Sequence, residues 1–345
     1  MRIALDVMGG DQAPSAPLEA AVEAHARGLA EILLVGPTER ITAELTARGH
    51  RPEQFGIVEA SEVVAQDEHP VAAIRHKQDS SLVRGIRMVG SGEADAFVSA
   101  GSTGALMAGS VLLLGTIKGV ERPALSGVLP TLDGHGCLVL DLGANADASA
   151  RNLLEFAVMA SVYAERLLGW REPTVGLLNI GSEPVKGNRL AREAFETLQT
   201  YALTAGGGLA TPAFRFVGNV EPRDVFAHPA DIVVSDGFTG NVFLKTVEGV
   251  AGMLFTMIRR ELQRGARAQI GGLLAMPALK NVGRGLSADE GGGAPLLGIR
   301  GVVIKCHGNS GSRAIANGIS VAAGYLREGV GERIEAALRE RGQEA

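Results

Sequence analysis

Apolar residues along the chain come in short β-branched runs separated by longer stretches rich in Ala, Leu and Glu. The short runs predict strands at residues 2–7, 31–35, 55–59, 96–99, 138–142, 175–180, 215–217, 232–235 and 302–306. The longer stretches repeat apolar positions at helical spacing. They predict helices at 17–27, 38–48, 82–90, 104–114, 152–168, 189–201, 241–264 and 312–327. Alternation of this kind predicts an α/β fold, a mainly parallel sheet with helices on both faces. Residues 125–129 and 138–142, joined through Asp133-Gly134, predict a hairpin inserted in that sheet. The span 1–345 suits one large α/β unit or two lobes. Residues 246–286 depart from the rhythm and are set apart as a protruding amphipathic helix-turn-helix.

The polar positions follow a second pattern. Strand after strand ends in glycine and small polar residues: DVMGGD (6–11), SAGSTGA (99–105), LDLGAN (140–145), NIGSEPVKGN (179–188), VGNVEPRD (217–224), SDGFTGN (235–241) and KCHGNSG (305–311). In a parallel sheet those ends share one rim, where open α/β sheets place their ligands. Thr103, Ser182, Thr239 and Ser310 offer hydroxyls, Asn145, Asn188, Asn241 and Asn309 offer amides, and Lys186 and Lys245 supply positive charge. With helix N-termini behind them, these groups suit phosphate or another oxyanion. Each loop taken alone is equally a capped β-to-α turn; the repetition is what points to a site. His307 leaves a strand directly into Gly308-Asn309-Ser310, which suits either chemistry or capping. Arg75, Lys77, Ser80 and Ser81 form a further polar stretch that reads as an anion clasp or a solvated helix face.

Other classes fall away. There is no phosphate-loop, dinucleotide, serine-hydrolase-elbow or zinc-protease signature, and neither a metal nor a cofactor is expected. Glycine is 47 of 345 residues, about twice ordinary usage. A net charge of −5 argues against a nucleic-acid partner. Cys137 and Cys306 sit in separate apolar runs and read as buried thiols of a cytosolic protein. Asp6 interrupts the first apolar run, so no secretion signal is expected.

Together with RPAL (122–125), GGAPLLG (292–298) and HGNSGSRAIANGI (307–319), these motifs closely resemble those of the bacterial phosphate acyltransferases of phospholipid synthesis, from Met1 to about Leu326. The resemblance implies a fold like that of phosphate acetyltransferases and the isocitrate dehydrogenase group, a homodimer, and no cofactor. It implies the reaction of acyl-acyl-carrier protein with inorganic phosphate to give an acyl phosphate. It further implies that a membrane glycerol 3-phosphate acyltransferase uses that product. Ser102, Pro222 and Gly291 depart from the family pattern. Phosphate is its own nucleophile, so the chemistry asks for positioning and oxyanion donors rather than a Ser or Cys. On this basis phosphate is assigned to Lys186, Asn188, Gly101, Ser102, Thr103, Gly104, Gly237, Thr239, Gly240 and Asn241. Asn145, Asn179, Asp236, Lys245 and Ser310 complete the binding set, and His307 and Asn309 serve the oxyanion or the departing sulfur. Loss of Lys186 is expected to abolish acyl-phosphate formation. A coenzyme A-dependent phosphate acyltransferase and a non-catalytic anion-binding membrane scaffold are the alternatives.

Within residues 249–286, Arg259, Arg260, Arg264, Arg267, Lys280 and Arg284 face one acid, Glu261. Leu273, Leu274 and Met276 make an apolar tip. The segment reads either as a surface helix packed on the sheet or a partner, or as a docking surface for the acidic carrier or the anionic membrane. The family resemblance implies a cytoplasmic protein attached peripherally to the membrane.

Overall fold

The computed structural model describes residues 1–205, 214–285 and 293–343. Its strands are β1 (Arg2–Asp6), β2 (Glu31–Gly36), β3 (Gly56–Glu59), β4 (Ala96–Ser99), β5 (Ala124–Leu129) and β6 (Cys137–Leu140). They continue with β7 (Thr174–Leu178), β8 (Arg215–Val220), β9 (Ile232–Val234), β10 (Ala294–Leu297) and β11 (Val302–Lys305). The helices are α1 (Ser15–Ala26), α2 (Thr38–Ala47), α3 (Pro70–His76), α4 (Ser81–Ser91), α5 (Thr103–Leu113) and α6 (Ala150–Tyr163). After these come α7 (Arg189–Ala205), α8 (Gly237–Leu262), α9 (Ala266–Gly285), α10 (Ser312–Arg327) and α11 (Val330–Gln343).

Among the described residues all eleven strands join one sheet, in the order β3-β2-β1-β4-β11-β10-β5-β6-β9-β7-β8. Among the described residues seven of its ten ladders are parallel, as the strand-helix rhythm predicts. β5 and β6 form the expected hairpin, with Ser126 opposite Leu140 and Leu129 opposite Cys137. The core strands are almost wholly apolar because helices cover both faces; Ile3, Leu34, Phe97, Val139, Val233 and Ile304 are all buried. α6 is buried nearly all round, with α7 and α11 packed against it and the ends of β6 and β9 beneath.

One expectation is overturned. Three antiparallel ladders stand in succession, β11–β10, β10–β5 and β5–β6. An odd number of reversals flips the strand direction. The carboxyl ends of β1, β4 and β11 therefore lie on one edge, and those of β6, β7, β8 and β9 on the other. The seven polar loops do not share a single rim; they divide three and four. The departure at Gly291 lies outside the described residues.

Candidate active site

At the first edge, three loops interlock. The Asp11 N–H donates to the Gly308 carbonyl at 2.7 Å, and Gln12 Nε2 donates to the Asn309 carbonyl at 2.9 Å. The loop after β4 leads into α5, where Ser102 caps the helix through the Ala105 N–H. Gly101 is buried with its N–H on Ser99 Oγ, which leaves Thr103 and Gly104 to face the open space. That space is a cavity of about 660 Å3.

α8 reaches this cavity from the opposite edge. It leaves β9 through Asp236, passes Asn241 beside Gly143, and carries Lys245 to His307. Lys245 Nζ lies 3.2 Å from His307 Nε2 and 2.8 Å from Glu248 Oε2. His307 Nδ1 stands 2.7 Å from Asn309 Oδ1 and donates to it, so Nε2 accepts from the ammonium. Asn241, Lys245, His307, Asn309, Ser310, Thr103 and Gly104 thus border one cavity. Beyond this polar end the wall becomes apolar: Leu125, Val128, Leu129, Phe226, Leu244 and Val247 line a slot between the β5–β6 hairpin and α8.

Lys186 and Asn188 lie elsewhere. A smaller crevice of about 270 Å3 sits at the ends of β7 and β9, bordered by Asn179, Asn188, Pro222, Asp236 and Thr239. Its polar groups are already engaged. Asn179 accepts from the Ile180 N–H and donates to the Lys186 carbonyl, and Asn188 caps α7 at the Ala191 N–H. The Lys186 side chain is 49% exposed and pairs loosely with Glu183 at 3.9 Å. The structure does not bring Lys186 and Asn188 to His307 and Asn309 within one chain.

The glycines of SDGFTGN have a packing role. A Cβ on Gly240 would lie 1.9 Å from the Asp141 carbonyl oxygen, and one on Gly237 would lie 2.7 Å from the Asn145 oxygen. They let the first turn of α8 sit against the 141–145 loop. The Gly237 N–H donates to Asn145 O, and Asp236 takes the Thr239 N–H and hydroxyl. Asn145 is likewise committed, donating to Asp141 and to the Pro123 carbonyl. Asp141 itself accepts from the N–H groups of Leu125, Gly143, Ala144 and Asn145; burial pushes its carboxyl pKa up while those donors pull it down. Asp236, Gly237 and Gly240 of the segment expected to cradle an anion thus form the root of α8, while Asn241 borders the larger cavity.

The other polar stretch resolves similarly. Lys77 binds Glu68 and the Val63 carbonyl, and Ser80 caps α4. Among the described residues one cluster of metal-ligand type exists, and its members do not line the cavity. His135 and His228 place Nε2 at 3.1 Å from Asp231 Oδ1, and the two rings stack at 4.4 Å. Asp133 holds His228 Nδ1 at 2.7 Å, so hydrogen bonds and stacking account for the arrangement, which ties the hairpin turn to β9.

Two residues escaped the sequence reading. Glu248 secures Lys245, and a carboxylate one helical turn away was a signal for it. Lys305 ends β11 at 7% exposure and lines the cavity; in the sequence it looks like an ordinary strand-end lysine. Burial lowers its pKa to about 8.

The protruding segment is formed by the outer part of α8 and by α9. Val250, Met253, Leu254 and Met257 are exposed on α8, and Leu273 and Leu274 on α9 are 74% and 78% exposed, with Met276 exposed as well. Arg259, Arg260, Arg264 and Arg267 are exposed around them; of Lys280 only its place in α9 is described. α8 is long and apolar enough to cross a membrane, but Gly237, Gly240 and Phe243 bury its root in the fold.

A family profile described as "Fatty acid synthesis protein" matches residues 1–333. A "Phosphate acyltransferase" of Heliobacterium modesticaldum is 49% identical, over 99% of this chain and 97% of its own length. Proteins of the same name from Desulfitobacterium hafniense and Clostridium acetobutylicum are 47% and 43% identical, over 98% and 99% of this chain and 98% and 99% of theirs. In fold, EutD phosphotransacetylase from Staphylococcus aureus is similar with a TM-score of 0.60 at 15% identity, covering 94% of this chain and 93% of that one. A phosphotransacetylase from Streptococcus pyogenes gives 0.59 at 19% identity, covering 95% and 94%. These likenesses agree with the expected phosphate acetyltransferase-like architecture. Identity near one half along essentially the whole length is the stronger finding: the chain belongs to the phosphate acyltransferase family of acyl-transferring enzymes.

Proposed function

We propose that the chain transfers an acyl group from acyl-acyl-carrier protein to inorganic phosphate in the His307 cavity. The observation that carries this reading is the continuity of a polar end, built from Lys245, His307, Asn309 and Thr103, with an apolar slot. An acyl thioester needs both, with its carbonyl at the polar end and its chain in the slot, where each buried CH2 contributes about 0.8 kcal/mol. A phosphate oxygen attacks the thioester carbon, the new C–O bond forms, the C–S bond breaks, and the sulfur leaves as thiolate. A free thiol has a pKa of only about 8.5, so the thiolate is a good leaving group and needs no strong acid. The Lys245 ammonium and the Asn309 amide supply the donors for the oxyanion, and His307 with Glu248 holds the ammonium in place.

Purified protein given acyl-carrier thioester should release free thiol only when phosphate is present, with a hydroxylamine-trappable product. Phosphate-independent release, or none, rejects the reading; equal use of acyl-coenzyme A favours the alternative donor. The basic, apolar α8–α9 segment supports docking to the acidic carrier and to the anionic membrane of a cytoplasmic, peripherally bound homodimer, close to the membrane acyltransferase that consumes the product. Changing Leu273, Leu274 and Met276 to Ser should abolish flotation with anionic liposomes and leave turnover of soluble carrier thioester intact. Retained flotation assigns the segment to another partner.

A further inference from the structure

Lys305 stands where β11 enters the 306–311 loop, and its side chain turns into the cavity beside Asp11, Thr103 and Ser310. Its Nζ donates to the carbonyl of the adjacent Cys306. Among the described residues it forms no ion pair with any carboxylate, and two of its three donors remain for another acceptor. A buried ammonium without an anion is costly. An anionic ligand in the cavity would supply the missing charge and offset that cost.

We propose that Lys305 is the phosphate-binding residue of the cavity, its ammonium acting as counter-ion to the incoming substrate phosphate. The proposal rests on the acyl-transfer reading and divides its charge between two lysines. Lys245, on exposed α8, serves the thioester carbonyl, while Lys305, in the sheet, seats the nucleophile with help from the Thr103 and Ser310 hydroxyls. The groups facing Lys305 are Asp6 on β1, Asp11 in the following loop, Lys245 and Glu248 on α8, and Cys306 and His307 on its own segment. Burial draws its pKa down to about 8, Asp6 and Asp11 oppose that fall, and Lys245 adds to it. Phosphate binding therefore weakens as pH rises through that value.

The test compares wild-type protein with Lys305→Met, which keeps the length of the side chain and removes its charge. The KM for phosphate should rise about 30-fold or more, the loss typical when one partner of a buried charge pair is removed, with the KM for the acyl donor changed less than about twofold. The ratio of the two phosphate KM values should shrink above pH 8, a comparison from which phosphate's own ionisation cancels. Two melting measurements follow: the ligand-free one reads the cost of burying the charge, and the phosphate-induced one is the result a merely structural lysine would not give. Without ligand, Lys305→Met should melt higher than wild type at pH 7, and the gain should fade as pH climbs from about 8 toward the ordinary lysine value of 10.5. Phosphate should raise the melting temperature of the wild type and leave that of the variant unmoved. An unchanged phosphate KM, or an equal phosphate-induced shift in both proteins, overturns the proposal. If the variant does not fold, amine-reactive labelling of wild-type Lys305 followed by mass spectrometry replaces it; failure of phosphate to protect against labelling, at matched ionic strength, is then the overturning result. Wild-type acyl-phosphate formation is followed in parallel, so its absence condemns the acyl-transfer reading, while the melting and labelling measurements still judge Lys305.

Discussion

The two crevices of this molecule are made from the same vocabulary and differ in what they leave free. Both lie at strand ends, both contain glycine, Asn, Ser or Thr, and both have a lysine close by. In the smaller one the Asn179 amide, the Asn188 carbonyl and the Asp236 carboxylate are all turned inward onto backbone and Thr239. In the larger one Thr103 and the buried Lys305 border open volume, Lys245 keeps one donor beyond its bonds to Glu248 and His307, and an apolar slot continues from them. A loop rich in hydrogen-bonding groups is thus not yet a binding site. What decides is whether those groups already satisfy one another.

The sharpest way to break that contrast is at Lys245. Its replacement by Met should lower kcat by about 100-fold or more, the usual result of removing an oxyanion donor, while the melting temperature stays near wild type. Steady-state kinetics on carrier thioester checks it; a loss under about threefold would remove Lys245 from the chemistry. Next comes Gly240→Ala, which strikes the wall between the crevices. Its methyl group meets the Asp141 carbonyl, and overpacking against backbone should cost about 3 kcal/mol, read by urea unfolding. A neutral result would mean that the root of α8 shifts freely.

Smaller effects belong to the second crevice. Asp236→Ala removes the cap on Thr239 N–H at 2.8 Å and should cost about 1 kcal/mol of stability, with kcat within about twofold of wild type. Lys186→Ala should change least, because an exposed pair at 3.9 Å contributes under about 1 kcal/mol. This reverses the expectation drawn from the sequence alone. A collapse of turnover in Lys186→Ala, on the scale of Lys245→Met, would erase the contrast and bring the second crevice into the reaction.

The strand-helix rhythm was legible because buried parallel strands are nearly all apolar and their covering helices keep a helical period. The hairpin at Asp133-Gly134 was legible for the same local reason. The reversal of strand direction was not, since it depends on β10, four residues long and interrupted by Pro295, which offers no N–H to a ladder. Pro295 survives there by pairing at the short β10–β11 ladder and by accepting from Ser126 through its carbonyl. Without β10 in view, all seven loops point to one rim. With it, they divide. His307, Asn309 and Thr103 were found by their place in polar loops, whereas Lys305 needed three dimensions, because only the packing of β11 between β4 and β10 makes its environment dry.

One uninterrupted rod runs from the buried root of α8 to its far end. At about 1.5 Å per residue, Lys245 sits about 12 Å from the pivot at Gly237, and the tip at Leu262 lies about 26 Å further on. The geometry is that of a lever whose long arm is bare and whose short arm bears a reactive ammonium. Any load that tilts the long arm by a given angle moves Lys245 by roughly a third of the displacement at the tip. On the acyl-transfer reading, a contact that tilted the tip would reach Lys245 at about a third of its amplitude.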